Sequence, residues 1–238
     1  MSDQVELRHK HALVIGLGAR GTVAAAYLAA AGVGRIGLID GAFVEEHDLR
    51  AGPLVFRPDL GDGKADGLAV KLGLIDADVH AEPFPAFLDE KNAELIVKDA
   101  DVVIDCTGTD ASRLLVNDAC LREEVSLVSG AATPDGGWWK PVVAKSCLRG
   151  FVDESEPEAT ASNGEDATPA DPSPADPSAA GVVAAHQAAA ALQILQASGR
   201  IDSTVLHEYE ASTGVWADRP VACSEDCICT AGSAAGTV

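Results

Sequence analysis

The chain has 238 residues, a formal net charge of −20 and a pI near 4.4. This length suffices for one large α/β domain that buries a full core without disulfides or metal. So acidic a surface repels phosphate groups, which excludes nucleic acid and anionic membranes from the expected partners. The scarcity of lysine among so many carboxylates is also typical of proteins from salt-loving organisms, and the sequence leaves that reading of the host open.

No apolar stretch of signal length precedes the first predicted strand, and we predict no later run of membrane-spanning length. These features indicate a cytoplasmic protein. Because cysteines stay reduced in that compartment, each of the six is expected to be core filler, a metal ligand or a nucleophile.

The first forty residues predict one βαβ unit. HALVIG, from His11, is a short apolar strand that ends in glycine, and the Ala-rich helix GARGTVAAAYLAAAG is closed by Gly32. RIGLID, ending at Asp40, is the next buried strand. A right-handed crossover makes these two strands parallel.

The same alternation continues to about residue 146. Helices are predicted in DGKADGLAVKLGLI, NAELIVKD and ASRLLVNDACLREE, and strands in VHAEPFPAFL, DVVIDCT, SLVSGAAT and WWKPVVAK. The repeated order predicts a doubly wound, Rossmann-like α/β sheet over residues 1–150.

Residues 151–180 interrupt this pattern. The segment is rich in aspartate, glutamate and proline and contains no basic residue, so we predict a disordered acidic loop. Residues 181–238 are predicted to complete the same domain with the helix GVVAAHQAAAALQILQASG, an antiparallel hairpin and a Cys-rich tail.

Gly16, Gly18 and Gly21 form a G-x-G-x-x-G motif between the first strand and its helix. Without side chains, such a turn and the helix N-terminus can approach phosphate oxygens. Asp40, at the end of the second strand, is placed to accept hydrogen bonds from ribose hydroxyls. The pattern predicts a nucleotide site, and to this point it fits an NAD-dependent oxidoreductase equally well.

Three further segments separate these alternatives. FVEEHDLRAGPLVFRPDLGDGKADGLA resembles the stretch of the ThiF/MoeB/HesA family, the ubiquitin-activating-enzyme-like adenylyltransferases, that runs DxDxVxxxNLxRQ and then D(I/V)GxxKA. VVIDCTGTDASRLLVNDAC is similar to the family's VIDCTDNxxTRxxxNDAC, and GVVAAHQAAAALQIL to its late GVxxxxQA helix. The resemblance covers most of the chain and implies a nucleotide-binding Rossmann-like fold.

The resemblance also implies an activity: adenylation, with ATP and Mg²⁺, of the C-terminal carboxylate of a ubiquitin-like or sulfur-carrier protein. By the family pattern the glycine turn approaches the phosphates, Asp40 holds the ribose and Lys64 contacts the phosphates. A solvated helix lysine is the alternative for Lys64. Arg50 replaces the family's NLxRQ arginine if the single alignment gap falls just before it, and otherwise Ala51 stands there.

Several catalytic positions of the family differ in this chain. The aspartate after DCT, which binds magnesium, is Gly108, and the second acid of DxD is Ala42. This argues against a magnesium site of the family's kind. Asp105 and Asp110 are alternative metal ligands, although a helix N-cap is the simpler role for Asp110.

The cysteines also depart from the family pattern. No cysteine lies between Cys147 and Cys223, the interval of the family's thioester cysteine, so we predict adenylation without a thioester. Zinc is predicted as an alternative to free thiols, because the family binds zinc with two CxxC pairs. Its candidate ligands are Cys147, Cys223, Cys227 and Cys229.

Two classes of function therefore stay open: a reduced adenylyltransferase, and a non-catalytic homologue that binds nucleotide or a carrier tail as a partner subunit. An NAD-dependent oxidoreductase is a further alternative. We expect a homodimer or a heterodimer with a homologue, in which Arg8 is the arginine available to a partner's site. Cys106, Cys120 and His186 are expected to be packed.

Overall fold

The computed structural model describes residues 7–50, 52–143, 146–152, 176–197, 201–222 and residue 229. The strands are β1 (His11–Ile15), β2 (Arg35–Ile39), β3 (His80–Phe84), β4 (Val102–Asp105), β5 (Ser126–Thr133), β6 (Gly136–Val142), β7 (Val205–Glu210) and β8 (Val215–Pro220). The helices are α1 (Ala19–Ala31), α2 (Lys64–Ile75), α3 (Ala93–Val97), α4 (Asp110–Arg122) and α5 (Pro177–Leu195).

The strands form one sheet in the order β3-β2-β1-β4-β5-β6-β7-β8. The first five strands of the chain are parallel, and β6, β7 and β8 each pair antiparallel to their neighbour. In the centre, Ala12 of β1 pairs with Ile36 on one side and Val102 on the other. The predicted doubly wound sheet with an antiparallel extension is confirmed.

Helices cover both faces of the parallel strands, which explains why every residue of β1 is buried. On one face α1, α2 and α5 bury residues such as Leu28, Leu72 and Ala188. On the other face α3 and α4 bury residues such as Val97 and Leu114. The carboxyl ends of β1, β2, β4 and β5 therefore meet at one edge of the sheet, where α1 and α4 begin.

The boundary predicted between the acidic loop and the last helix is wrong by four residues. Helix α5 begins at Pro177, because the carboxylate of Asp176 accepts a hydrogen bond from the backbone N–H of Ser178 and proline suits a first helical position. Residues 153–175 of the predicted loop lie outside the described residues.

Helix α5 also corrects the expectation that no segment reaches membrane-spanning length. Among the described residues it is the one helix that is long and apolar enough, by length and composition alone, to cross a membrane. Its Ala184, Ala188 and Ala191 are buried in the core between α5 and the sheet. Half of the apolar window is buried in this way, as is typical of a core helix.

Candidate functional site

The three glycines of the turn after β1 have different physical roles. Gly16 has a φ of +86°, and an added Cβ would lie 2.8 Å from the Cys106 carbonyl oxygen. At Gly21 an added Cβ would lie 1.9 Å from the Gly16 carbonyl oxygen. Both glycines are therefore required by packing, and their predicted approach to phosphate stays a prediction. Gly18 caps α1 and faces open space, so it is the position that a phosphate can approach.

Asp40 lies directly after β2 and holds the glycine turn. One carboxylate oxygen accepts a hydrogen bond from the backbone N–H of Leu17 at 2.8 Å, and the other from that of Ala42 at 2.9 Å. Each oxygen keeps a second lone pair, so the same carboxylate can accept hydrogen bonds from ribose hydroxyls. Its position beside the turn is the one predicted for a ribose ligand.

Lys64 begins α2 and lines a cleft beside the glycine turn. Other residues that line this cleft are Leu17, Asp48, Asp59, Asp62 and Lys71. The Lys64 side chain is only 13% exposed, and its Nζ donates to a carboxylate oxygen of Asp48 at 2.8 Å. The alternative of a solvated surface lysine is therefore wrong.

The sequence-based interpretation assigned no role to Asp48 and Lys71. The carboxylate of Asp48 is 5% exposed and contacts Lys64, and that of Asp59 accepts from Lys71 Nζ at 2.5 Å. The cleft thus places two lysines among three carboxylates, counting Asp62. Because each lysine is paired with an acid, part of its positive charge is already offset before a polyanionic ligand binds.

Arg50 ends a short 3-10 helix, Asp48–Arg50, and is exposed. In the described part of the chain its side chain makes no hydrogen bond or ion pair. Within these residues it therefore forms no hydrogen bond or ion pair with Lys64 or Asp40, and its predicted catalytic role stays a prediction.

Asp105, at the end of β4, is not arranged as a metal ligand. It is fully buried, and one carboxylate oxygen accepts from Ser129 Oγ at 2.6 Å. The other oxygen accepts from the N–H of Thr107 at 2.9 Å and from its hydroxyl at 2.6 Å. At Gly108 an added Cβ would meet no atom within 4 Å, so the backbone there does not require glycine.

Asp110 is the first residue of α4 rather than its N-cap. Thr109 caps the helix, since its hydroxyl oxygen accepts from the N–H of Ser112 at 3.1 Å. The Asp110 carboxylate instead forms an ion pair with Arg113. Asp110 and Asp105 are thus both engaged within the protein, which contradicts the alternative that they bind metal.

Two of the four predicted zinc ligands lie side by side. The sulfur atoms of Cys147 and Cys229 are 3.5 Å apart, although 82 positions separate them in the chain. An added Cβ at Gly150 would lie 2.5 Å from the carbonyl oxygen of Ala222, so the turn after Cys147 packs against the residues that lead into the Cys-rich tail. Cys223 and Cys227 lie outside the described residues.

The remaining thiols and His186 are packed, as predicted. Cys106 and Cys120 are buried, and burial raises the pKa of both thiols, to about 12 for Cys106. His186 is half-buried between Trp139 and Trp216, whose rings lie 6.0 and 4.4 Å from its own. Burial, with a smaller effect of His207, lowers the pKa of His186.

Arg8 is held by its own chain. Its guanidinium donates to the carboxylate of Asp76 at 2.7 Å and lies against Gly32, at the edge of the sheet where the strands begin. In the single chain Arg8 is therefore engaged with Asp76, and its availability to a partner's site stays a prediction.

Comparisons with known proteins identify the family and the fold of this chain. The family model described as "ThiF family" matches residues 1–230. "Adenylyltransferase and sulfurtransferase MOCS3" of Drosophila ananassae is 36% identical over 139 residues, which are 58% of this chain and 30% of that protein. "Adenylyltransferase and sulfurtransferase UBA4" of Scheffersomyces stipitis is 34% identical over 137 residues, 58% of this chain and 31% of that protein. The matches therefore span about a third of these relatives' own length.

Solved structures of E. coli MccB share the fold. MccB superposes with a TM-score of 0.81 and 17% identity over 96% of this chain and 67% of that chain. A structure described as MccB with ATP has a TM-score of 0.79 and 18% identity over 96% of this chain and 69% of that chain.

Proposed function

This chain belongs to the ThiF family, and from that premise we propose that it adenylates the C-terminal carboxylate of a ubiquitin-like or sulfur-carrier protein without a thioester step. The proposal depends on one observation: Asp40, the open Gly18 position and Lys64 lie beside one another at one edge of the sheet. Asp40 binds the glycine turn through Leu17, which also lines the cleft that contains Lys64. Ribose and phosphate groups of one nucleotide therefore have adjacent binding partners.

The proposed reaction is a displacement at the α-phosphorus of ATP. An oxygen of the carrier carboxylate forms a bond to that phosphorus, and the bond to the bridging oxygen breaks, so pyrophosphate leaves with the electron pair. No proton has to move in this step. The chain's contribution is to position the two anions and to offset their charge with backbone N–H groups of the α1 N-terminus and with Lys64.

Magnesium of the family's kind does not fit the described residues. Gly108 provides no carboxylate, and the oxygens of Asp105 are occupied by Ser129 and Thr107. We therefore assign no step to a metal ion held by this chain's carboxylates.

Zinc does fit the thiols present, as a structural ion away from the reaction. With Zn–S bonds of about 2.3 Å, two thiolates of a tetrahedral site lie about 3.8 Å apart, close to the 3.5 Å between Cys147 and Cys229. We propose that Cys223 and Cys227 complete the site. Such reduced thiolates require a reducing compartment, in keeping with our proposal of a cytoplasmic location.

Isotope exchange between pyrophosphate and ATP tests the activity directly. Exchange is expected only when ATP, magnesium and a carrier with a C-terminal glycine are all present, and a carrier that lacks this glycine is the matched control. Asp40→Ala should slow the exchange at limiting ATP, because ATP then binds more weakly. Exchange that proceeds equally without the glycine would contradict the proposal.

The same experiment distinguishes the second candidate, a non-catalytic partner subunit. Gly108 and the ion pair between Lys64 and Asp48 favour this alternative, because neither provides a free charge for the triphosphate. Binding of ATP without exchange, for any carrier offered, would support it. We propose a homodimer or a heterodimer with a homologue in either case, and sedimentation of the purified chain tests this.

A further inference from the structure

A buried arginine lies directly behind the glycine turn. Arg20, in the first turn of α1, is 8% exposed. Its guanidinium donates to the carbonyl oxygens of Gly130 at 2.6 Å and Thr107 at 2.9 Å. Weaker contacts at 3.4 Å reach the Asp105 carbonyl oxygen and the side-chain oxygen of Gln187. Every one of these acceptors is uncharged.

The carboxylates around Arg20 are engaged elsewhere. That of Asp105 accepts from Ser129 and Thr107 and lies 3.8 Å from Arg113, and Asp110 pairs with Arg113. Among the described residues, no carboxylate contacts the Arg20 guanidinium. Although burial lowers its pKa, a guanidinium keeps its proton in a protein. Burying a charge without a contacting counter-charge is costly. The nearby Asp105 carboxylate acts on Arg20 from a distance, but desolvation is the larger effect, so an additional anion near Arg20 would be stabilised.

The position of Arg20 indicates which anion that is. Arg20 is two residues from Gly18, the one glycine of the turn that faces open space. The N-termini of α1 and α4 lie at the same edge and add their own partial positive charge. Through its carbonyl contacts Arg20 also ties α1 to β5 and to the turn that follows β4.

We propose that Arg20 is a positioning residue of the nucleotide site, which locks the glycine turn in place and whose fixed positive charge favours a phosphate chain over an uncharged nucleoside. This role rests on the proposed nucleotide site and explains why that site would prefer the charged ATP to uncharged adenosine. Arg20 does not touch the ligand. It acts through the turn and through the field of its charge.

The test compares ATP with adenosine in three variants of the full chain. Arg20→Met removes the charge at similar length, and Arg20→Lys keeps the charge but loses the forked contacts. Arg35→Met is the matched control, because it removes an equal charge from an exposed pair with Glu82 where β2 begins. Calorimetric affinities are measured at two ionic strengths, with thermal unfolding to monitor the fold.

Arg20→Met is expected to weaken ATP binding on the order of tenfold more than adenosine binding. Arg20→Lys should keep the preference for ATP, and Arg35→Met should resemble the wild type. Equal losses for ATP and adenosine in Arg20→Met would reduce Arg20 to a structural role and overturn the inference. If Arg20→Met does not fold, loss of the ATP preference in Arg20→Lys overturns it instead. Wild-type protein that binds no adenine nucleotide refutes the proposed site itself.

Discussion

The ion pair between Lys64 and Asp48 makes a prediction about nucleotide affinity. Because Lys64 is paired at 2.8 Å with a carboxylate that is 5% exposed, Asp48 competes with the phosphates of ATP for the ammonium group and repels them. A hydrogen bond between charged groups contributes about 1.5–3 kcal/mol, and about 1.4 kcal/mol corresponds to a tenfold change in affinity. Asp48→Asn is therefore expected to strengthen ATP binding about tenfold.

A double-mutant cycle identifies the cause of that gain. Lys64→Met should weaken ATP binding, and Asp48→Asn should bring no gain in the Lys64→Met background, since no lysine is then released. Asp62→Asn is the matched control, because Asp62 lines the same cleft and no basic partner is described for it. It removes the same charge without freeing Lys64, and an effect of about twofold or less is expected.

Calorimetric titration with ATP at fixed ionic strength measures these affinities, and thermal unfolding reports the accompanying loss of stability. Asp48→Asn should lower the free energy of unfolding by about 1–3 kcal/mol, because Lys64 loses its counter-charge in a mostly buried position. An unchanged or weaker affinity for ATP in Asp48→Asn would refute the reasoning. So would a gain of equal size in the Lys64→Met background.

Three other predictions concern the ribose acid and the cysteines. Asp40→Ala should weaken ATP and AMP binding about tenfold in calorimetry, because it removes a ribose acceptor and releases the glycine turn. If the wild-type protein binds NAD as tightly as ATP, the assignment of an adenine-nucleotide site for ATP is contradicted. Elemental analysis of the purified protein should find one equivalent of zinc. The zinc should be lost in Cys147→Ser and kept in the control Cys120→Ser, which replaces a buried thiol elsewhere. Less than about a tenth of an equivalent in the wild-type protein would contradict the zinc site. Because the raised pKa keeps Cys106 protonated below about pH 12, alkylation of the native protein at about pH 8 should spare it, and a modified Cys106 in the mass spectrum would contradict its burial.

The sheet was predictable because its signals are local. The central parallel strands β1, β2 and β4 are short apolar runs, and helix α1 has its own stop residue in Gly32. Two predictions about α5 were wrong, its first residue and its length, and both errors have the same cause. Its alanine-rich sequence carries no strong periodicity, so neither its first turn at Pro177 nor its length was evident.

The charges of the site were less predictable because their partners are distant in sequence. Arg20 occupies a variable position inside the glycine motif, between Gly18 and Gly21, and the carbonyl groups that bury it come from positions 85 to 110 residues further along the chain. Asp48 is 16 positions from Lys64, across the segment where the family pattern has its gap. The pairing of Cys147 with Cys229 could be predicted, since zinc chemistry links cysteines regardless of their separation.

We predict that no carrier thioester forms, and this follows from the environment of each thiol in the described part of the chain and from the spacing of the cysteines in the sequence. A thioester requires an exposed thiolate, yet Cys106 and Cys120 are buried with a raised pKa. Cys147 is 1% exposed and lies beside Cys229, where a shared zinc ion would engage both. The sequence has no cysteine from position 148 to 222.

Incubation with ATP, magnesium and a carrier ending in glycine, followed by gels with and without reductant, provides the direct test of this prediction. A chain of this kind should release its acyl adenylate to a nucleophile supplied by another molecule, so no reductant-sensitive adduct is expected. A band that disappears both with reductant and on replacement of a single cysteine would show that this cysteine forms a thioester with the carrier, which would contradict the prediction. Cys223 and Cys227 are then the first to replace, because they lie outside the described residues and their environment is not constrained by the argument above.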